Sequence, residues 1–156
     1  MSEKARSRLA AICGLYCGAC SLYRAWHDAD TEAIERMAKD RGVTPEDLRC
    51  DGCRSDVLSY WCRDCGFKRC LARRTDGVRL CYECADYPCR MITGFRNDGR
   101  KHHLDVLENV RRQKEIGLEA WLDEQEADWR CPECGAPIHW YQRKCRCGAK
   151  LRQRWE

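Results

Sequence analysis

Between Cys13 and Cys20 the chain reads CGLYCGAC, three thiols in a C-x3-C-x2-C arrangement. Thiols become nucleophiles and metal ligands once deprotonated. This spacing can hold three corners of an iron–sulfur cluster or contribute to a structural metal cage. The rest of the chain carries twelve more cysteines among its 156 residues. Cys50 and Cys53 form a C-x2-C pair. Cys62, Cys65 and Cys70 form C-x2-C-x4-C, and Cys81, Cys84 and Cys89 repeat that pattern nineteen residues later. Cys131 and Cys134 are then answered by Cys145 and Cys147.

A C-x2-C turn places two sulfurs on one metal and points backbone N–H groups at them. Glycine beside the second cysteine permits the positive φ such a turn often needs. Glycine follows Cys13, Cys17, Cys65, Cys134 and Cys147, and Gly52 lies inside the Cys50–Cys53 pair. Zinc takes four ligands tetrahedrally and accepts sulfur together with nitrogen. The last four cysteines make a self-contained set, CPECG and CRCG, which predicts a C-terminal β zinc ribbon. Its C-x-C half is tighter than C-x2-C, which disfavours a rubredoxin-like iron site. The first eleven cysteines do not divide into fours. The simplest allocation is two four-cysteine sites and one three-cysteine site. His27, His102 or His103 can complete the third, or it stays open; His139 falls within the ribbon.

An open reactive cluster fits the chain poorly. Radical S-adenosylmethionine chemistry needs a barrel of roughly 200 residues, and Ala19 stands where an aromatic usually precedes the last cysteine. The ferredoxin run C-x2-C-x2-C-x3-C-P is missing. Zinc is the expected metal, three to four ions in all, with an iron–sulfur cluster in the N-terminal module as the alternative.

Composition points the same way. Hydrophobic residues make up 44%, but that figure counts cysteine, and 35% of residues are charged. Small chains with little apolar material fold on cross-links or metals. The N-terminus has a short apolar run from Leu9 that Gly14 breaks, too short for a span and lacking a cleavage site. The expected location is the cytoplasm, with no membrane partner, where spaced cysteines serve as ligands rather than disulfides. The formal charge of +4 makes no case for nucleic acid, because ligation deprotonates the thiols and fifteen thiolates outweigh four divalent ions and that surplus together.

Short amphipathic helices must position these groups. Leu22, Tyr23 and Trp26 share a face after Cys20. Thr31 is read as the N-cap of a helix that ends at Arg41 before Gly42. Thr44-Pro45-Glu46-Asp47 reads as a capped helix start leading into Cys50. Leu104, Leu107 and Val110 share a further face, and after Gly117 comes a stripe of Leu118, Trp121 and Leu122. The fold class is therefore a small irregular α-rich, metal-stabilised fold of short helices and cysteine knuckles plus the β zinc ribbon. Residues 10–96 form a multi-metal module, 97–128 a helical connector packed on it, and 129–156 the ribbon.

The boxes CGLYCGAC, LRCDGC, WCRDCGFKRC and CYECADYPC, in that order, resemble a prokaryotic cysteine-rich family, domain of unknown function 3795. The likeness covers roughly residues 10–115 and includes the non-ligand residues Asp51, Gly52, Asp86, Tyr87 and Pro88. It implies zinc binding, no assigned activity and no catalytic residue. It also implies that Cys17, Cys20, Cys50, Cys53, Cys62, Cys65, Cys70, Cys81, Cys84 and Cys89 act as a set.

The function expected is a zinc-binding, non-enzymatic interaction or regulatory module with an unidentified protein partner. The alternatives are an iron–sulfur electron carrier or redox sensor, and nucleic-acid binding through residues 129–156. That segment holds seven Lys/Arg against two Glu and offers Trp129, Trp140, Tyr141 and Trp155 for stacking. Anaerobically purified protein is expected to be colourless and to yield zinc by elemental analysis. Visible absorbance with stoichiometric iron and sulfide would reverse the choice of metal.

Overall fold

The computed structural model describes residues 2–155. Among them lie α1 (Glu3–Ser7), α2 (Ser21–His27), α3 (Thr31–Arg41), α4 (Tyr60–Arg63), α5 (Gly66–Ala72), α6 (Arg90–Arg96), α7 (Val106–Ile116) and α8 (Leu118–Asp128). Single 3-10 turns at Cys17–Ala19, Pro45–Leu48, Cys81–Glu83 and Lys101–His103 join several of them. No described helix is long and apolar enough to cross a membrane.

Local chemistry sets the helix ends. Asp30, rather than Thr31, caps α3, its carboxylate accepting from the Ala33 N–H at 3.0 Å. Asp30 is the last residue with non-helical backbone angles, so Thr31 is already inside the helix. Gly42 stops it at φ +66°. Thr44 and Asp47 form a reciprocal capping box around Pro45, but the turn they cap is 3-10. That turn buries Leu48 completely against Leu22, Ala25, Ile34 and Ala38.

Two larger apolar clusters flank the first cysteine turn. Leu9, Ala10, Tyr16, Tyr23, Trp121, Leu122 and Trp129 form one of them. Tyr16 meets Trp121 edge-on at 6.3 Å between ring centroids. Ile12, Phe67, Leu80, Ile92, Val106 and Val110 form the other. Leu104 departs from the face expected of it. It precedes α7, follows the 3-10 turn and is exposed, so the helical period that placed it beside Val110 does not yet apply.

Residues 129–155 dock on this frame. The Trp140 N–H donates to the Ala19 carbonyl at 2.9 Å, and that of Ile138 to Trp129 at 3.0 Å. Arg154 pairs with Asp105 and Asp128. The segment contains no strand among the described residues, only the isolated antiparallel bridges Arg130–Pro137 and Lys144–Lys150. The expected β zinc ribbon is therefore corrected to two bridged knuckles. Each pairing spans a single knuckle, and the chain between them turns away at Trp140 to bond Ala19 instead of extending a ladder.

Gly14 ties the opening cysteine turn to α7. Its φ is +87°, and a Cβ there would lie 2.7 Å from Val110 Cγ2 and 2.9 Å from the Val106 carbonyl oxygen. The buried Asn109 amide donates to the Gly14 carbonyl at 2.9 Å, locking the approach. Gly18 and Gly66, also expected to take positive φ, do not. Gly18 instead lies under the Tyr16 ring, and Gly66 opens α5. Gly14→Ala adds an unfavourable backbone angle to a clash with helix backbone. It is expected to destabilise by about 2–4 kcal/mol, read as a lower denaturant midpoint, whereas Gly42→Ala, with open space around it, is expected to lose only the smaller cost of its backbone angle.

His102 reports the docking. Its ring stacks on Trp140 at 4.1 Å, and Nδ1 lies 2.5 Å from the Tyr141 hydroxyl. Burial, with His103 and Arg100 nearby, lowers its pKa from 6.5 to about 3, against a weaker pull from Asp98. Between those pH values the unfolded chain binds a proton that the folded chain refuses, so this contribution is present above 6.5 and fades as pH falls. His102→Phe keeps the stack and removes the titration. Its thermal midpoint is expected to fall less than that of the wild type between pH 6.5 and 5; equal slopes would remove His102 from the account.

Candidate metal centre

The C-terminal thiols sit on two matched knuckles. In the first, Cys131 N–H donates to the Ala136 carbonyl and Gly135 N–H to that of Cys131, both at 2.9 Å. In the second, Cys145 N–H donates to Ala149 and Gly148 N–H to Cys145, again at 2.9 Å. Gly135 and Gly148 take φ +69° and +94°, which lets each knuckle reverse tightly past its second ligand. Thus C-x2-C and C-x-C close the same kind of turn.

These turns bring the sulfurs of Cys131, Cys134, Cys145 and Cys147 to within 4.8 Å of one another. Across the knuckles, Cys131 and Cys147 are 3.7 Å apart, and Cys134 and Cys145 are 3.6 Å apart. A tetrahedron of Zn–S bonds near 2.3 Å has edges of about 3.8 Å, so the set fits one thiophilic ion. Cys131 and Cys145 are buried beside Leu151, while Cys134 and Cys147 face solvent. The amides of Cys134 and Glu133, with neighbouring thiols, lower the Cys131 pKa to about 7. The Ala136 amide favours the Cys134 thiolate too, but the thiols of Cys147 and Cys145 outweigh it and hold that group up, to about 12. One thiolate forms readily and the next resists it, which is the electrostatic setting a cation relieves.

The eleven N-terminal cysteines form a continuous neighbourhood. Cys17, a first ligand candidate in a 3-10 turn, lies close to Cys20, Cys50 and Cys53. Cys20 is the N-cap of α2, where burial raises its thiol pKa and the nearby Tyr23 and Leu22 amides oppose that rise. Cys62 lies beside Cys50 and, with the Ser59 and Gly52 amides, favours the Cys50 thiolate, whose pKa falls to about 6. Cys13 is buried beside Cys53, Cys65 and Cys81. Cys70, Cys81, Cys84 and Cys89 line one small cavity. Burial pushes the Cys13, Cys17, Cys20 and Cys53 thiols up. Among the described residues, only the C-terminal four have all their sulfurs within 4.8 Å of one another.

The histidines are taken up elsewhere. His27 stacks on Tyr23 at 3.9 Å with Nε2 3.3 Å from Asp51. His103 is buried on Phe95 with Nδ1 2.9 Å from both Asp98 oxygens. His139 Nδ1 accepts the Tyr141 N–H at 3.3 Å. None of them joins the sulfur set that meets the distance above. Sequence reasoning missed Asn109, Ser59 and Arg74 as supports, since a polar residue in a helix or loop carries no spacing signal. Asp86, noted only within its box, pairs with Arg74 at 3.0 Å.

No curated protein matches the chain, and no solved structure matches it. The family described as a protein of unknown function, DUF3795, matches residues 9–94. That stretch holds the opening triplet, the Cys50–Cys53 pair and both C-x2-C-x4-C boxes, with the 129–155 knuckles lying beyond it, and the chain belongs to the DUF3795 family.

Proposed function

We propose that this protein is a zinc-binding, non-enzymatic interaction or regulatory module whose ions replace the apolar core that its composition does not provide. The observation that carries the reading is the C-terminal sulfur set, with 3.6 and 3.7 Å separations across two knuckles. One zinc there fastens residues 131–147 into a cap that seats Trp140 on the Cys17–Ala19 turn. The N-terminal thiols take the remaining ions, three to four in all. A reducing cytoplasm keeps such thiols available as ligands.

The partner surface follows from what the cap leaves outside. Arg143, Lys144, Arg146, Lys150 and Arg152 are exposed, so an acidic protein face is the complementary partner. Trp129, Trp140 and Trp155 pack inward against the first apolar cluster, and Tyr141 alone of the four aromatics is exposed. That arrangement supports a basic docking face over base stacking.

Cys134→Ser and Cys147→Ser in the full chain are each expected to lower bound zinc by one ion. Each is also expected to red-shift tryptophan fluorescence as the cap loosens from the Ala19 turn. Full zinc content in both variants would sink the proposal.

A further inference from the structure

We propose that Cys70, Cys81, Cys84 and Cys89 form a second four-thiolate site for a thiophilic divalent ion, zinc by preference, assembled across the two repeated triplets. This rests on the reading that the chain's thiols are metal ligands, but it stands on a separate ligand set. The four cysteines line one small cavity of about 30 Å³. Its other walls are mainly apolar, with Ile12, Phe67 and Ile92 among them. Such walls give water few partners, whereas four sulfurs give a zinc ion its full coordination.

The frame around the cavity is fixed on every side. Cys81 N–H donates to the Ile12 carbonyl at 3.0 Å, setting the turn against the first cysteine segment. Cys84 N–H returns to Cys81 and Tyr87 N–H to Cys84, both at 3.2 Å, which makes the knuckle. The Tyr87 hydroxyl then donates to the Leu107 carbonyl at 2.7 Å and holds that knuckle to α7. Cys89 stands at the start of α6, whose Ile92 is fully buried. Cys70 comes from α5, which is kept against α6 by Phe67 meeting Phe95 edge-on at 5.1 Å.

Four thiolates around a divalent ion leave two negative charges. Arg74 lines the cavity within electrostatic reach of Cys84, but it is paired with Asp76 and Asp86, and an Asp86 carboxylate oxygen lies 3.8 Å from the Cys84 sulfur, so the bound ion rather than Arg74 offsets the thiolate charge. The sulfurs are more widely spread than the C-terminal set: among the described residues, no three of these four lie within 4.8 Å of one another. An ion draws them inward across the cavity they already share. The two triplets are then not equivalent units. The first gives Cys70 to the second, while Cys62 turns to Cys50 and Cys65 to Cys13 and Cys53.

The test uses the full chain, purified anaerobically and loaded with zinc. Cys84→Ser is expected to lower bound zinc by one ion, and Cys84→Ser with Cys134→Ser by two. Full zinc content in Cys84→Ser overturns this site; full content in Cys134→Ser alone overturns only the C-terminal one. A wild-type measurement decides the matter even if Cys84→Ser fails to fold. Cys70, Cys81, Cys84 and Cys89 are partly accessible, so alkylation followed by peptide mass analysis reads each of them. In zinc-loaded protein all four are expected to resist iodoacetamide and to become reactive in one step as chelator is added. Cys84 reacting in the loaded protein as fast as in the chelated protein overturns the proposal.

Discussion

A buried thiolate is costly until a cation sits beside it, and this chain gathers most of its thiols partly buried at the edges of its apolar clusters. Burial raises the pKa of Cys13, Cys17, Cys20 and Cys53, and neighbouring sulfurs raise all four further. A divalent ion reverses that balance, because it offsets the charge and displaces the protons. The polypeptide around the sulfurs is arranged for the ionised state. Amides of Tyr23 and Leu22 point at Cys20, Ser59 and Gly52 at Cys50, and Cys134 and Glu133 at Cys131.

The apolar material is spent between these sulfur groups. One cluster gathers around Tyr16 and Trp121, the other around Ile12 and Val110, and the Cys13–Cys20 turn runs between them. Gly14 permits that close approach to α7, and Asn109 fixes it. Neither cluster is large, so each long-range hydrogen bond to a cysteine segment has weight. Ile12 to Cys81 and Ala19 to Trp140 are such bonds, and each joins a thiol-bearing turn to a segment far away in sequence. Surface ion pairs such as that of Arg6 with Glu119 and Glu126 dress this frame and contribute little each.

The C-terminal cap joins both themes. Its four sulfurs meet between its own two knuckles, and its aromatic residues hold it to the rest. His102 on Trp140, and Trp129 set among Leu9, Tyr16 and Trp121, make the seam. A cap seated in this way leaves its basic residues outside and most of its aromatics inside.

Spacing and composition determined the cysteine groups, the family, the self-contained C-terminal set and the bounds of the Thr31–Arg41 helix. Each of these depends on neighbours within a few residues, where backbone geometry leaves little choice. The strand content of the last segment lay beyond such reasoning, because Trp140 satisfies its N–H at Ala19 rather than in a ladder. The orientation of Leu104 and the fates of His27, His102 and His103 were likewise settled by packing partners far away in sequence. Tertiary structure also decided which thiols meet. The C-x2-C-x4-C repeat looks like two equal units, yet Cys70 faces the second triplet's cavity and Cys62 faces Cys50, since α5 packs its Phe67 against Phe95 and carries Cys70 across with it.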